Sequence, residues 1–392
     1  MKILMINSVC GIGSTGRICT DLATELEKQG HEVKIAYGRD EVPKQFGKYA
    51  VRIGTNLDVK LHGIKARIQD SSGFGSKKAT INFIEWVKKY NPDIIHLHNL
   101  HGYYVNIEIL FNYLKTSRKK IIWTLHDCWA FTGHCAYFDY VNCEKWKLCC
   151  QKCEQKGEYP KSTVLDRSRH NFILKKELFT NISNLQIIVP SLWLAELTKQ
   201  SFLKMYPIKV IYNGVDVKSF KPSLNDIPKR YQCEGKKILL GVAGVWDRRK
   251  GLNSFIELST MLPDEYQIIL IGLSKEQILN LPANIIGIER TESIQELSQF
   301  YSAADVFVNP TLEDNYPTTN IEAIACGTPV VSYRTGGSGE SATKYGMVVN
   351  KGDVNALKEA IIKVSKGEIV KKEIDISKEA MIEQYKKIYE NY

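Results

Sequence analysis

No stretch of this 392-residue chain approaches the ~20 consecutive apolar residues that a membrane-spanning helix needs, so no spanning helix is expected. No leader is expected either. Met1–Asn7 is apolar but too short for a signal peptide, and no small-residue cleavage site follows it. It reads as a first buried strand, and the chain is expected to stay in the cytoplasm. Without a leader, the ten cysteines are not expected to form a disulfide framework. Short-period repeats, low-complexity segments and a D-x-D motif are all absent. Acidic residues are in deficit, 43 against 53 lysines and arginines, which leaves a net charge of +10. That excess points to an anionic partner: a nucleotide, a nucleic acid or an anionic membrane surface. It gathers at Lys115, Arg118, Lys119 and Lys120, and again at Lys145, Lys147, Lys152, Lys156 and Lys161. These cations form either a solvated basic face or one turned to a membrane.

What is present is a βαβ rhythm. Lys2–Asn7, Val33–Tyr37, Ile94–His98, Ile121–Leu125 and Ile187–Pro190 read as strands. Helical spacing fills Gly16–Gln29, which ends at Gly30, and Ile81–Tyr90, which ends at Asn91-Pro92. The rhythm restarts with a strand at Ile238–Val245, a helix at Gly251–Leu262, a strand at Gln267–Gly272 and a helix at Ile294–Ala303. Asp305–Asn309, a helix from Thr318 and Pro329–Tyr333 complete it. Two α/β units of parallel sheet covered by helices are expected. Asn-Gly and Pro in Asn213–Pro222 mark the joint. The predicted division is residues 1–212, residues 213–375, and a tail helix over residues 376–392 that packs back on the first unit. Residues 127–165 have no regular periodicity, and a loop that long is usually functional or cross-linked.

Three segments carry chemistry. Gly11-Ile12-Gly13-Ser14-Thr15-Gly16 follows the first strand and opens a helix, where close backbone approach and free N–H groups suit a phosphate or a sugar hydroxyl. Arg17 and Ile18 follow its last glycine, which departs from a G-x-x-x-x-G-K-[ST] phosphate loop. The glycine spacing matches a dinucleotide turn, but no ribose-binding carboxylate ends the second strand. Asp40, the nearest, sits in a polar loop. Asp247-Arg248-Arg249-Lys250-Gly251 places three cations at the C-terminal end of a strand, the edge at which open α/β sheets bind ligands. The third segment runs from Glu313 through Asp314, Asn315, Tyr316, Pro317 and Thr318 to Glu322, between two buried strands. Thr318 or Thr319 is expected to cap its helix and Gly327 to end it. Asp314 and Glu322 are expected to accept from the hydroxyls of two sugar rings.

This last segment resembles the E-x7-E region of the retaining, GT-B-fold glycosyltransferases called family four. The resemblance continues through Ala303–Pro310 and Thr335–Glu340, and Tyr212–Asp216 with Phe220-Lys221-Pro222 looks like the interdomain signature of that family. It covers nearly the whole chain. It implies an α/β, GT-B architecture of two Rossmann-like domains facing each other across a cleft, the first binding the acceptor and the second the nucleotide sugar. Glu322 matches the acid that holds the nucleotide ribose. Asp314, eight residues earlier, stands where the family has Glu and is implied to bind hydroxyls of the transferred sugar. Lys250 matches the lysine on the donor diphosphate. Val245 stands where the family has an arginine five residues before that lysine, and Arg248 or Arg249 is the candidate substitute. His126 matches a histidine that contacts the transferred sugar, whereas His96 and His98, on one face of a strand, are read as structural or acceptor-side. The implied catalytic residues are His126, Lys250 and Asp314. The implied donor-binding set is Gly13, Ser14, Arg249, Lys250, Asn315, Tyr316, Pro317, Thr318 and Glu322. Similar enzymes retain configuration by front-face attack without a divalent metal.

Cys135, Cys143, Cys150 and Cys153 form either a four-thiolate zinc site, with Cys150-Gln151-Lys152-Cys153 as one knuckle, or a set of reduced loop thiols. The motif is similar to capsule and exopolysaccharide transferases with a Cys-rich insert after His-Asp-Cys-Trp. The expected partners are a nucleotide-sugar donor and a glycan or lipid-linked acceptor, with peripheral membrane contact through the basic first unit and no nucleic acid. The competing readings are a sugar-nucleotide epimerase on the same fold, and a non-catalytic zinc-containing protein that binds glycan or nucleic acid. Tyr137, Phe138, Tyr140 and Trp146 would supply the stacking surface for the latter.

Overall fold

The computed structural model describes residues 1–372 and 374–390, so residues 391 and 392 of the expected tail helix lie outside the described residues. The chain divides into two compact units, Met1–Ile211 with Ile382–Tyr392, and Tyr212–Met381.

The first unit runs β1 (Lys2–Ile6), α1 (Gly13–Lys28), β2 (Glu32–Tyr37), β3 (Ala50–Arg52), α2 (Asn56–Gln69), α3 (Lys77–Tyr90) and β4 (Ile94–Leu97). It continues with α4 (Ile107–Ser117), β5 (Lys120–Thr124), α5 (Ser168–Phe179), β6 (Leu185–Val189), α6 (Leu192–Gln200) and β7 (Ile208–Val210). Its seven strands are parallel in the order β3-β2-β1-β4-β5-β6-β7. β4 and β5 are buried along their whole length, as strands covered on both faces must be.

The second unit opens with α7 (Ile227–Arg230), β8 (Lys237–Val242), α8 (Leu252–Met261), β9 (Tyr266–Ile271), α9 (Lys275–Leu279) and β10 (Ile285–Ile288). There follow α10 (Ile294–Ala303), β11 (Val306–Asn309), α11 (Thr318–Ala325), β12 (Val330–Tyr333), α12 (Ser338–Ala342) and β13 (Tyr345–Val349). α13 (Val354–Ser365), β14 (Val370–Lys371) and α14 (Lys378–Glu390) close the chain. Six strands run parallel as β10-β9-β8-β11-β12-β13, and β14 lies antiparallel on β13. Each unit is thus a doubly wound Rossmann-like sheet, as the βαβ rhythm led one to expect. In each, the strand order reverses beside a central strand: between β1 and β4, and between β8 and β11. Such switch points open a crevice at the C-terminal strand ends.

The C-terminal part of α14 belongs to the first unit. There the ammonium of buried Lys120 donates to the carbonyls of Ile388 and Tyr389 near the end of α14. Burial lowers its pKa to about 8. Lys120 therefore leaves the expected surface cluster and completes a helix end instead.

The loop from 127 to 165 is ordered by its own aromatics. Phe131, Phe138 and Trp146 are buried, with Trp146 ring centroids 5.3 Å from Phe131 and 5.0 Å from Phe138. This corrects the expected stacking surface, because Phe138 and Trp146 are spent on a core and present no face to a base.

Candidate active site

In the second unit the chemistry collects after β8 and β11. Asp247 turns the chain: its Oδ1 accepts from the Arg249 backbone N–H at 3.0 Å and starts a single 3₁₀ turn, Arg248–Lys250. The Arg249 carbonyl accepts from Leu312 N–H at 2.7 Å and from Thr311 Oγ1 at 3.2 Å, and Arg249 Nη1 donates to the Glu313 carbonyl at 3.1 Å. These bonds fasten the basic turn to the loop after β11. Lys250 Nζ then reaches Asp314 Oδ2 at 2.6 Å. Burial raises the Asp314 pKa, but the charges of Lys250 and Arg249 outweigh it and hold the carboxyl below its ordinary range. The two candidates that sequence spacing left 64 residues apart are therefore one ion pair.

Gly251 makes this approach feasible. Its φ is +77°, and a Cβ there would stand 2.1 Å from the Pro310 carbonyl oxygen. Gly251→Ala is expected to cost about 2 to 4 kcal/mol through a left-handed backbone and a backbone clash. Urea unfolding checks this, and an unchanged midpoint would count against the close approach.

Helix α11 follows from the same loop. Pro317, not a threonine, occupies its N-cap and no side chain caps it, so Thr318 is the first helical residue. The expected threonine cap fails because Thr318 and Thr319 already lie inside the helix. Asn320 is fixed from all sides. Its Oδ1 accepts from Asn309 at 2.7 Å, and its Nδ2 donates to the Ser338 carbonyl at 3.1 Å and to Ser341 Oγ at 3.0 Å. Glu322 is buried and accepts from Tyr301 Oη at 2.9 Å. Asn315 is buried, and its N–H donates to Asp314 Oδ1 at 2.9 Å. Tyr316 is buried against Tyr212, ring centroids 5.0 Å apart, and its carbonyl accepts from Asn213 at 3.2 Å. Tyr301 and Asn320 were missed in the sequence because no local spacing links Tyr301 to Glu322, or Asn320 to Asn309, Ser338 and Ser341.

In the first unit, Gly13 and Ser14 form the first turn of α1, beside the β1–β4 switch point. At the ends of β4 and β5 lies a histidine cluster. His98 Nδ1 is 3.0 Å from His126 Nε2, so one ring donates and the other accepts. His96 bonds Tyr389 Oη at 2.7 Å through Nδ1 and Thr124 Oγ1 at 2.8 Å through Nε2. His101 Nε2 pairs with Asp127 Oδ2 at 2.7 Å. Desolvation lowers the His126 pKa to about 4, with Asp127 opposing, so the half-buried ring is neutral near pH 7.

The Cys135 and Cys153 thiols share a hydrogen bond, and Cys153 falls to about pKa 7 with that bond as the leading cause. All four candidate thiols are free. Sulfur donors suit zinc chemically. Among the described residues, however, no group of three or more His, Cys, Asp or Glu side chains stands in position to hold a metal ion.

Two doubly wound units, the second carrying a Lys-carboxylate pair and a buried helix acid at its switch point, define the GT-B class. The chain belongs to Glycosyltransferase Family 4, which matches residues 15–219, and residues 236–366 match Glycosyl transferases group 1. It is a glycosyltransferase. It is 25% identical over 424 residues to the putative colanic acid biosynthesis glycosyl transferase WcaC of Escherichia coli, covering 100% of both chains. It is 27% identical over 176 residues to the O-antigen chain mannosyltransferase RfbU of Salmonella typhimurium, covering 42% of this chain and 47% of that protein. Sucrose-phosphate synthase from Thermosynechococcus elongatus superposes with TM-score 0.71 at 18% identity, covering 99% of this chain and 98% of that one. Anabaena HepE in complex with UDP superposes with TM-score 0.66 at 15% identity, covering 100% of both.

Proposed function

We propose that the chain moves a sugar, with retention of anomeric configuration, from a nucleotide-sugar donor to a glycan or lipid-linked acceptor in surface polysaccharide synthesis. The observation that carries the donor reading is the ion pair of Lys250 with Asp314 at the β8–β11 switch point, next to the N-terminus of α11. Loss of a nucleoside diphosphate leaving group needs positive charge at the departing oxygens. Lys250 supplies it, with Arg249 in support and first-turn N–H groups of α11 adding to it. Arg249 takes the role of the missing family arginine, since it is tied to the same loop through the Glu313 carbonyl. Asp314, fixed by Lys250 and the Asn315 N–H, accepts from hydroxyls of the transferred sugar. Glu322, oriented by Tyr301, accepts from the ribose diol. His126, neutral and bonded to His98, serves as a contact for a sugar hydroxyl. Front-face attack follows, with the departing phosphate taking the acceptor proton. The polysaccharide assignment draws on the names of WcaC and RfbU, and the donor class on the UDP complex of HepE.

Calorimetric titration with UDP-, GDP-, ADP- and dTDP-sugars tests this reading. One of the four is expected to bind, and Glu322→Ala is expected to weaken it by about 2 kcal/mol, roughly thirtyfold, through the loss of a charge-assisted hydrogen bond pair. Binding of all four with the variant unaffected would remove the ribose role.

A further inference from the structure

Helix α2 is inverted relative to a helix that only covers a sheet. His62 and Ala66 are buried, whereas Leu57, Leu61, Ile64 and Ile68 are 64%, 57%, 54% and 47% exposed. At ~100° per residue these four aliphatic side chains share an arc of about 60°, opposite His62 and Ala66. The i, i+4, i+7, i+11 spacing is that of a core-facing stripe, yet this one faces solvent.

The surroundings of the stripe are cationic. Lys60 and Arg67 flank it on one side and Lys65 on the other, all three exposed. The one acid of the helix, Asp58, is spent in the capping box with Thr55. Beyond the C-terminal turn the patch continues. Thr163 N–H donates to the Arg67 carbonyl at 2.7 Å and Leu165 N–H to the Ile68 carbonyl at 3.1 Å. These bonds hold Val164 and Leu165 beside the stripe, 60% and 47% exposed.

A second copy of the chain does not suit this face. An isologous contact would set the same cations against one another around an apolar centre. A surface that is apolar beneath and anionic above satisfies both halves at once. We propose that α2, extended by Val164 and Leu165, is an interfacial anchor that seats the first unit on an anionic lipid bilayer, with the Leu57–Ile68 stripe in the acyl boundary and Lys60, Lys65 and Arg67 at the headgroups. The helix lies on the membrane: among the described residues no helix is long and apolar enough to cross one. This moves the expected membrane contact from the lysines of 115–120 and 145–161 to helix α2. Lys145 and Lys147 are paired with Glu154 and Glu144.

Co-sedimentation of the full chain with vesicles tests the anchor without any nucleotide sugar, so its outcome is separate from the donor reading. The chain is expected to pellet with vesicles of equimolar phosphatidylcholine and phosphatidylglycerol and to stay largely in solution with phosphatidylcholine alone. Leu61→Gln with Ile64→Gln is expected to cut binding about tenfold or more, with the thermal midpoint unchanged because both side chains are exposed. Lys60→Gln with Lys65→Gln is expected to cut it by about 30-fold at low salt and by much less at high salt, at about 1 kcal/mol per cation. Failure of the wild type to pellet with anionic vesicles overturns the proposal, and so does undiminished pelleting of the Leu61/Ile64 variant. Sedimentation equilibrium is run in parallel. A dimer lost in that variant, with no vesicle binding by the wild type, assigns the face to a second copy instead.

Discussion

Lys250→Ala is expected to lower sugar transfer by about 10²- to 10³-fold, the loss seen when one preorganised charge donor is taken from a developing anion. The lysine is held in place before any donor arrives. Its turn is capped by Asp247, bonded to Leu312 and Thr311, and locked by Gly251 against Pro310. Its ammonium contributes to the site without a further search through rotamers. The same substitution has a structural cost, because Asp314 is left with Arg249 as the remaining nearby cation. A carboxylate deprived of its partner in a largely buried site destabilises by up to a few kcal/mol. The two effects separate in a second variant, Lys250→Met with Asp314→Asn. Removing both charges is expected to recover most of the thermal midpoint and none of the transfer rate. Initial rates with the donor identified by calorimetry, alongside thermal unfolding, decide the matter. Lys250→Ala within twofold of wild-type activity would place the diphosphate elsewhere.

The sheets were legible because a doubly covered parallel strand is a short continuous apolar run, and eight or more such runs alternate with helical spacing. Expected and observed strand limits differ by at most three residues, as for Ile238–Val245 against Lys237–Val242. The GT-B class was legible through the order of its motifs. Helix α2 was not read although Leu57, Leu61, Ile64 and Ile68 repeat at helical spacing, and that spacing carries no sign that His62 and Ala66 are its inward side. Strands β3 and β7 have three residues each, too few for periodicity. The acids and cations of the site were legible as residue types beside strand ends. Their partnerships were not, because Lys250–Asp314, Tyr301–Glu322 and His98–His126 join residues 64, 21 and 28 positions apart. Such pairs are made by sheet order, and local spacing carries no trace of them. The threonine cap on α11 failed by one position, since Pro317 holds the N-cap, and the stacking role of Phe138 failed because it is buried. For Phe138, residue type suggested a surface use that tertiary packing assigned to the core.

Acidification from pH 7.5 to pH 5 is expected to remove about 2 kcal/mol of stability for each buried histidine whose folded pKa is about 4 or lower, well before any carboxylate with a depressed pKa is protonated. The cause is the buried neutral histidines. Burial lowers His62 and His126 to about 4 and His96 to about 3, and pushes His98 well below its ordinary value, with the neighbouring histidines adding to it. Unfolded, each returns to about 6.5. Between about pH 6.5 and 4 the unfolded chain therefore binds protons that the folded chain refuses. The stability these rings carry is fully present above pH 6.5 and is lost as pH falls through that window, at up to about 1.4 kcal/mol per pH unit for each ring. His134 works the other way. Burial lowers its pKa, but the adjacent Asp70 carboxylate outweighs that and raises it, so it opposes the others. The geometry at His62 shows why protonation is refused. Its Nε2 accepts the Gly75 N–H at 3.0 Å while Nδ1 lies 2.9 Å from Ser76 Oγ, so a second ring proton would break the backbone bond. Glutamine can offer an oxygen where Nε2 now accepts and cannot titrate. His62→Gln is therefore expected to lose some stability at pH 7.5 and to shrink the loss at pH 5 by about 2 kcal/mol. Urea unfolding at the two pH values measures both. An unchanged difference between them would mean that water reaches His62 and that its folded pKa is ordinary.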